Sequence, residues 1–398
     1  MLAAGFSAMT AGCAFQYGLP YLIPALRAEG LSLAQAGLLV ACPLAGLLVT
    51  LVAWGAAADR WSERLVLSVG LGLAGLILIA ATTAEGVVAL GAAFFLAGAA
   101  GASVHAASGR LILGWFVAHE RGFAMAVRQT AQPLGVAVGA VALPPLAALN
   151  RNAALLFLGT FCLAATLLVL AVVRDPQRAA AGGKAATGSP YRTPVLWRIH
   201  GVSALLIVPQ FAVATYGLVY LVDEHGWTPA AAGRLLAVFA VGGAAARLAA
   251  GYWSDRVASR LRPLRILAST IGLVMLALGI GMLTGSAVAT LALLVAAVIT
   301  VSTNGLAFTA VAEYAGASWA GRALGVQNTV QNAVATAIPL ALGGAIGLFG
   351  YGRSFTAVAV FPLLAVALVP VASERLTAGA PADSGSGKED QTVTAGSR

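Results

Sequence analysis

Long apolar runs alternate with short polar turns along most of this chain. Twelve of the runs are about as long as the roughly 20 residues that an α-helix needs to cross the hydrocarbon core of a bilayer. The pattern therefore predicts an all-α membrane protein with twelve transmembrane helices. The predicted spans are residues 2–25, 34–57, 65–83, 87–112, 122–147, 153–173, 198–222, 230–251, 264–284, 287–312, 322–345 and 353–372.

Two polar segments divide this pattern into domains. Residues 174–197 are rich in Ala, Gly and Arg, which predicts a cytoplasmic linker between two six-helix bundles, 1–173 and 198–375. Residues 376–398 consist largely of Gly, Ser, Thr and acidic residues. Such a segment has too little apolar surface to fold, so we expect a disordered cytoplasmic tail.

Composition agrees with a membrane protein. Apolar residues make up 60% of the 398 residues and charged residues only 9%. Soluble domains average about 25% charged residues, and so few could not cover the water-exposed surface of a protein this large. A single soluble enzyme, a nucleic-acid-binding protein and a disordered chain are therefore excluded, and the expected surroundings are a lipid bilayer.

The basic residues predict the orientation. The net charge of +9 comes from 23 Lys and Arg against 14 Asp and Glu. With both termini cytoplasmic, 17 basic residues fall inside and three fall within helices, which leaves only Arg27, Arg151 and Arg353 outside. Cytoplasmic loops collect basic residues, so this count supports twelve spans. The Arg-rich, Ala- and Gly-rich composition is typical of high-GC bacteria, and the predicted location is a bacterial inner membrane.

An internal repeat relates the two halves, because four segments recur 196 or 199 residues later in the same order. Two of the matched residues, Ser32 and Thr228, are placed to cap the second and eighth helices. A duplicated six-helix unit is expected of transporters with two pseudo-symmetric halves. The matches are Tyr17–Tyr21 with Tyr216–Tyr220, Ser32 with Thr228, Gly55-x-x-x-Asp59-Arg60 with Gly251-x-x-x-Asp255-Arg256, and Arg128–Gln132 with Gln327–Gln331.

The repeated Gly-x-x-x-Asp-Arg loop resembles the signature loop of the major facilitator superfamily, and the resemblance covers about residues 1–375. It implies a twelve-helix transporter without enzymatic activity or cofactor. In that family these clusters close the cytoplasmic side of the outward-facing state. The alternative is that each Asp-Arg pair only marks a topogenic turn. The residues to which the resemblance assigns the gate are Gly55, Asp59, Arg60, Gly251, Asp255 and Arg256.

Arg247 is a candidate substrate ligand inside the eighth span. A charged side chain at mid-membrane costs roughly 2.5–3.5 kcal/mol, so it requires a partner or a water-lined cavity. The arrangement Arg247-x-x-x-Gly251 resembles the monocarboxylate and oxalate branches of the superfamily, in which an eighth-helix arginine binds the substrate carboxylate. The alternative is a structural arginine that pairs with Asp255 or caps backbone carbonyl groups at the cytoplasmic end.

A second polar set lies on the fifth and eleventh helices. Arg128 lies about two turns into the fifth helix, and Gln132 follows on the same face. Their repeat mates on the eleventh helix are Gln327 and Gln331. Two such rows of polar side chains, called stripes here and related by pseudo-symmetry, fit opposing walls of a central cavity. Hydrogen bonds between helices of one half would give the same pattern.

Further candidates lie near these stripes. His105 aligns with Asn304 in the repeat, and a histidine titrates close to neutral pH, so it is either a proton carrier or a neutral packing residue. The paired tyrosines of the first and seventh helices either bind substrate, close the outer gate or belong to an interfacial belt. These tyrosines are Tyr17, Tyr21, Tyr216 and Tyr220.

Intramembrane arginines without an acidic residue at mid-membrane predict an anionic or polar solute, such as a small carboxylate. The leading hypothesis is a monomeric secondary active transporter, coupled to protons or to a counter-substrate. The alternative is a multidrug efflux antiporter for neutral or acidic compounds. Gln132-Pro133-Leu-Gly135-x-x-x-Gly139, a partial match to the antiporter motif of the family, favours export weakly. The three cysteines are scattered, and no metal or nucleic-acid partner is predicted.

Overall fold

The computed structural model describes residues 2–108, 121–174, 189–316 and 319–378, and within those ranges the regular structure is helical. Ten helices in this part of the chain are long and apolar enough to cross a membrane. The all-α membrane fold predicted from the hydrophobic pattern is therefore confirmed.

Two irregular regions account for the difference between ten and twelve crossings. The first predicted span is interrupted, since Leu2–Gly18 continues through a 3-10 turn, Leu19–Leu22, into Ile23–Ala28. The last candidate span, Arg322–Glu374, is 53 residues long, which as a single helix would extend about 80 Å. Gly350 breaks this span with a φ of 77°. Divided at Gly350 it forms two crossings, so the described helices are consistent with twelve.

The crossings are numbered α1 to α12 in chain order. In the first half, α1 comprises Leu2–Gly18 and Ile23–Ala28, α2 is Leu33–Arg60, α3 is Glu63–Ala80, α4 is Gly86–Ser108, α5 is Arg121–Leu149 and α6 is Arg151–Val172. In the second half, α7 is Pro194–His225, α8 is Pro229–Arg256, α9 is Leu261–Thr284, α10 comprises Val288–Ile299 and Thr303–Ala315, α11 is 320–349 and α12 is 351–368.

The borders of the bundles lie near the predicted ones. α7 begins at Pro194, four residues before the predicted start of the second bundle at 198. A short helix, Val371–Ala378, runs past the predicted end of that bundle at 375. Residues 175–188 and 379–398 lie outside the described residues, so the cytoplasmic linker and the disordered tail stay predictions.

The internal repeat is visible in α2 and α8, which both contain 28 residues. Ser32 caps α2 in a capping box with Gln35, and Thr228 accepts a hydrogen bond from the Ala231 N–H at the start of α8. These contacts confirm both predicted N-caps. The end of the molecule at which α2 and α8 finish is called the motif end below, and the opposite end is called the far end.

Helix contacts differ within and between the halves. The main contacts between the halves are α2 with α11 and α5 with α8. Within the first half, α2 and α4 approach closely at two glycines. A Cβ on Gly98 would lie 2.1 Å from the Pro43 carbonyl oxygen, and a Cβ on Gly46 would lie 2.0 Å from the Phe95 carbonyl oxygen. Small residues permit such backbone approach between helices in a membrane.

Gly98→Ala is expected to destabilise the first half. The atoms that the new methyl group meets belong to the backbone of Pro43, so the helices must separate, which costs roughly 1–3 kcal/mol. Denaturation of the purified protein in detergent measures this loss. Gly347→Ala is the matched control because no atom of the described residues lies within 4 Å of its added Cβ. Equal stability of the two variants would contradict the assigned contact.

Candidate substrate chamber

A polar cavity of about 210 Å³ lies between the two halves. Helices α1, α2, α4 and α5 of the first half and α7, α8, α10 and α11 of the second half contribute to its wall. It is called the chamber below. Of the residues predicted to bind substrate, those that line the chamber are Tyr17, His105, Arg128, Gln132, Arg247, Asn304 and Gln331.

Arg128 is the basic residue that the first half contributes. It lies seven residues from the start of α5, or about 11 Å along the helix axis. Its Nε donates to the Ser108 hydroxyl at 2.8 Å, and its Nη2 donates to the His105 carbonyl oxygen at 3.1 Å. Only 9% of the residue is exposed. Two acceptors on α4 therefore fix the guanidinium at the chamber wall.

Arg247 is the basic residue that the second half contributes. It lies nine residues before the end of α8, about 14 Å from the motif end, so both arginines lie at similar depth. Its Nε donates to the Val301 carbonyl oxygen at 3.2 Å, where α10 is interrupted. Asp255, the alternative partner considered for Arg247, forms an ion pair with Arg260.

These two arginines make the chamber electropositive. Among the described residues of its lining there is no carboxylate. Burying guanidinium groups at this depth is costly without a counter-charge or water, and a cleft lined by charges of one sign concentrates solutes of the opposite sign. The chamber can therefore accept an anion between groups that belong to different halves.

Amide and imidazole groups complete the polar wall. His105 Nε2 donates to Gln16 Oε1 at 2.7 Å, and the imidazole lies edge-on to Tyr17 with ring centroids 6.2 Å apart. Its repeat mate Asn304 donates through Nδ2 to Gln210 Oε1 at 3.0 Å. In each half, the α4 or α10 residue thus pairs with a glutamine of the first helix of that half.

Four predicted substrate ligands lie elsewhere. Gln327 is fully buried against α7, where it contacts His200 and Ser203, as expected of a hydrogen bond between helices of one half. The Tyr216 hydroxyl donates to the Pro339 carbonyl oxygen. The remaining two are Tyr21, which lines an adjoining cavity, and Tyr220, whose ring packs against Tyr351 near the far end.

The far end is closed by contacts between the halves. Arg27 of α1 forms an ion pair with Asp223 of α7, which also accepts a hydrogen bond from the Tyr351 hydroxyl at 2.9 Å. Two pseudo-symmetric glycines allow the helix backbones to meet there. A Cβ on Gly37 would lie 2.4 Å from the Pro339 carbonyl oxygen, and a Cβ on Gly233 would lie 2.2 Å from the Ala140 carbonyl oxygen. The residues that close the far end are Arg27, Asp223, Tyr351, Gly37, Pro339, Gly233 and Ala140.

The motif end has a different arrangement. Among the described residues, no atom lies within 4 Å of a Cβ built on Gly55 or Gly251. Arg60 is exposed, and the Arg256 guanidinium lies 4.8 Å from the centroid of the Tyr252 ring in its own helix. The backbone of Asp59 is helical, but its side chain lies outside the described residues. The gate assigned by resemblance is therefore a prediction for another conformation.

Charges at the motif end of the second half form their own network. Arg260 bridges Asp255 and Glu313. Partial burial lowers the pKa of the Arg260 guanidinium, but hydrogen bonds to both carboxylates outweigh burial and raise the pKa above its ordinary value. Because these ion pairs join α8, α9 and α10 of one half, they do not tie the two halves together. The described contacts thus close the far end, whereas this network at the motif end lies within the second half.

Several residues in or beside the chamber were not predicted. Gln16 and Gln210 hold His105 and Asn304, and Asn328 and Asn332 line the chamber beside Gln331. A sequence signal exists, because Gln327-Asn328 and Gln331-Asn332 place four amides within six residues of an apolar helix. Phe211, which packs against Tyr17, gave no such signal among so many apolar residues.

Two helical bundles around a central polar cavity that is closed at one end are the architecture of a secondary transporter. The family model of the Major Facilitator Superfamily matches residues 2–339, and the chain belongs to this family. It is a membrane transporter and not an enzyme.

Known proteins similar to this chain agree with that assignment. The uncharacterized MFS-type transporter Rv2994 of Mycobacterium tuberculosis is 43% identical over 361 residues, which are 90% of this chain and 81% of that protein. A bacterial homolog to the human lysosomal transporter Spinster, solved in an inward-facing conformation, has a TM-score of 0.77 at 16% identity and covers 94% of this chain and 96% of its own. A D-xylose-proton symporter has a TM-score of 0.75 at 17% identity, with 93% and 98% covered. These two structures share the fold.

Proposed function

We propose that this protein transports a small organic anion, such as a carboxylate, across a bacterial plasma membrane by alternating access. The observation that carries the proposal is the meeting of Arg128 and Arg247 in one chamber whose described lining holds no carboxylate. In the proposed orientation the motif end and both termini are cytoplasmic, as the distribution of basic residues favours. The described conformation is then inward-facing.

A carboxylate matches the donors of this chamber. A guanidinium offers parallel N–H donors that fit the two oxygens of a carboxylate. Arg128 and Arg247 approach from opposite halves, and the side-chain amides of Gln132 and Gln331 line the wall beside them. A cation would instead meet two like charges, so the chamber selects against it.

The placement of the two charges also explains how binding favours closure. In the empty chamber, the guanidinium groups of Arg128 and Arg247 repel each other, which opposes the approach of the halves at the motif end. An anion between them attracts both groups and removes that repulsion. Arg128 repels a charged His105, so proton coupling through His105 would require the bound anion as a counter-charge. Opening to the outside then requires separation of Arg27 from Asp223.

Flux measurements in proteoliposomes test this function. We expect saturable uptake of radiolabelled carboxylates above that of protein-free liposomes, competition by other carboxylates, and no competition by the matching neutral amides. A pH gradient imposed in either direction distinguishes proton coupling from exchange. Saturable transport of cations or neutral compounds without competition by anions would overturn the proposal, and outward-directed transport of neutral compounds would support the drug-efflux alternative.

A further inference from the structure

A second cavity of about 90 Å³ adjoins the chamber between α5, α7, α8 and α10. It is called the annex below. The two cavities have a common wall that includes Arg247, Gln132 and Gln210. Phe211 stands at the junction with its ring 6.1 Å from that of Tyr17. A molecule bound at Arg247 can therefore extend into the annex.

Beyond this common wall the annex is lined largely by apolar side chains. They come from all four helices and include Val136, Val213, Leu236, Ala240 and Ala297. Its other polar groups belong to Tyr21 and to Thr300, whose hydroxyl donates to the Ala296 carbonyl oxygen at 2.7 Å. A bound molecule would thus meet apolar side chains in the annex and positive charge in the neighbouring chamber.

We propose that the annex receives the apolar end of the transported anion, so that the substrate is an amphipathic monocarboxylate. The inference rests on the proposed anion transport and names the class of anion. A cavity of about 150 Å³ lined by apolar side chains accommodates benzene. The smaller annex therefore suits a compact alkyl group of about three to five carbons.

Chain length sets the expected selectivity. Each methylene group removed from water in the annex tightens binding about fourfold. Affinity rises along the series from acetate to pentanoate, and it levels off once the alkyl group exceeds the annex. Dicarboxylates gain nothing from the annex, because their second charge would have to enter an apolar space.

Calorimetry on the purified protein in nanodiscs tests the inference. It measures the binding of straight-chain carboxylates from acetate up to octanoate. Ala240→Leu fills the annex from α8 and is expected to abolish the dependence on chain length while acetate binding is retained. Ala297→Leu fills it from α10 and serves if the first variant does not fold. Ala245→Leu is the matched control, since Ala245 is exposed on the lipid-facing side of α8 and lies outside both cavities.

The outcomes separate this inference from the proposed function. A rising series in the native protein and the Ala245 variant, with a flat series in the Ala240 or Ala297 variant, supports the annex. Carboxylates that bind the native protein with equal affinity at every chain length overturn the annex and leave anion transport standing. Absence of any carboxylate binding to the native protein, acetate included, overturns both.

Discussion

Arg247→Ala is expected to weaken carboxylate binding and transport at least about 30-fold. Removal of one partner from a buried, hydrogen-bonded charge pair costs roughly 2–5 kcal/mol, and 2 kcal/mol corresponds to about 30-fold. Within the described part of the chain, Arg247 donates one hydrogen bond to the protein, from its Nε to the Val301 carbonyl oxygen. We therefore expect the ligand to accept hydrogen bonds from the Nη1 and Nη2 groups of Arg247.

Concentration-dependent uptake of a labelled carboxylate into proteoliposomes measures this loss. Arg247→Lys keeps the charge but lacks the planar pair of donors, so an intermediate defect is expected. Arg234→Ala is the matched control, because Arg234 is an exposed arginine of the same helix that does not line the chamber. Unchanged uptake by a folded Arg247→Ala protein would show that Arg247 does not bind the anion.

The fold was predictable because lipid imposes a simple rule on sequence. A helix that crosses a bilayer needs a long apolar run, and polar turns with capping residues such as Ser32 and Thr228 mark where each run begins. The exception is a local backbone event. The 3-10 turn Leu19–Leu22 lies within a continuous apolar pattern, and hydropathy does not register it. The positive φ of Gly350, in contrast, falls in the gap predicted between the spans that end at 345 and begin at 353.

The chamber was predictable only in part, for a related reason. Charged and amide groups are so rare in this chain that Arg128 and Arg247 stand out, and both line the chamber. Which face an amide takes is decided by its partners on other helices. Gln327 turns to His200 on α7, whereas Gln331, one turn further along α11, lines the chamber.

Contacts between distant segments left no trace in the sequence. The ion pair between Arg27 and Asp223 joins residues 196 positions apart, and neither residue is unusual near the end of a membrane helix. The annex is harder still to predict, because apolar residues such as Ala240 look the same whether they face lipid, a packed helix or a cavity. Only the assembled helices distinguish these environments.

Gly37→Ala is expected to shift the protein toward a conformation open at the far end. The added methyl group would lie 2.4 Å from the Pro339 carbonyl oxygen of the other half. Such overlap costs roughly 1–3 kcal/mol in the closed conformation alone, which corresponds to about a 5- to 150-fold change in the balance of conformers. Gly233→Ala acts at the pseudo-symmetric contact with Ala140 and is expected to shift the balance the same way.

Distances between spin labels at the far end measure this shift. Labels on cysteines introduced at Ala28 and Glu224, exposed positions in different halves, should move apart in Gly37→Ala in a background without native cysteines. Gly98→Ala is the matched control: its methyl group also meets a backbone carbonyl oxygen, but within one half. That variant should lose stability and keep the short label distance, since a contact inside one half is the same in every conformer. If both variants kept the short distance, the Gly37 contact would not hold the far end closed, and if both lengthened it, the change would reflect general loosening of the helices.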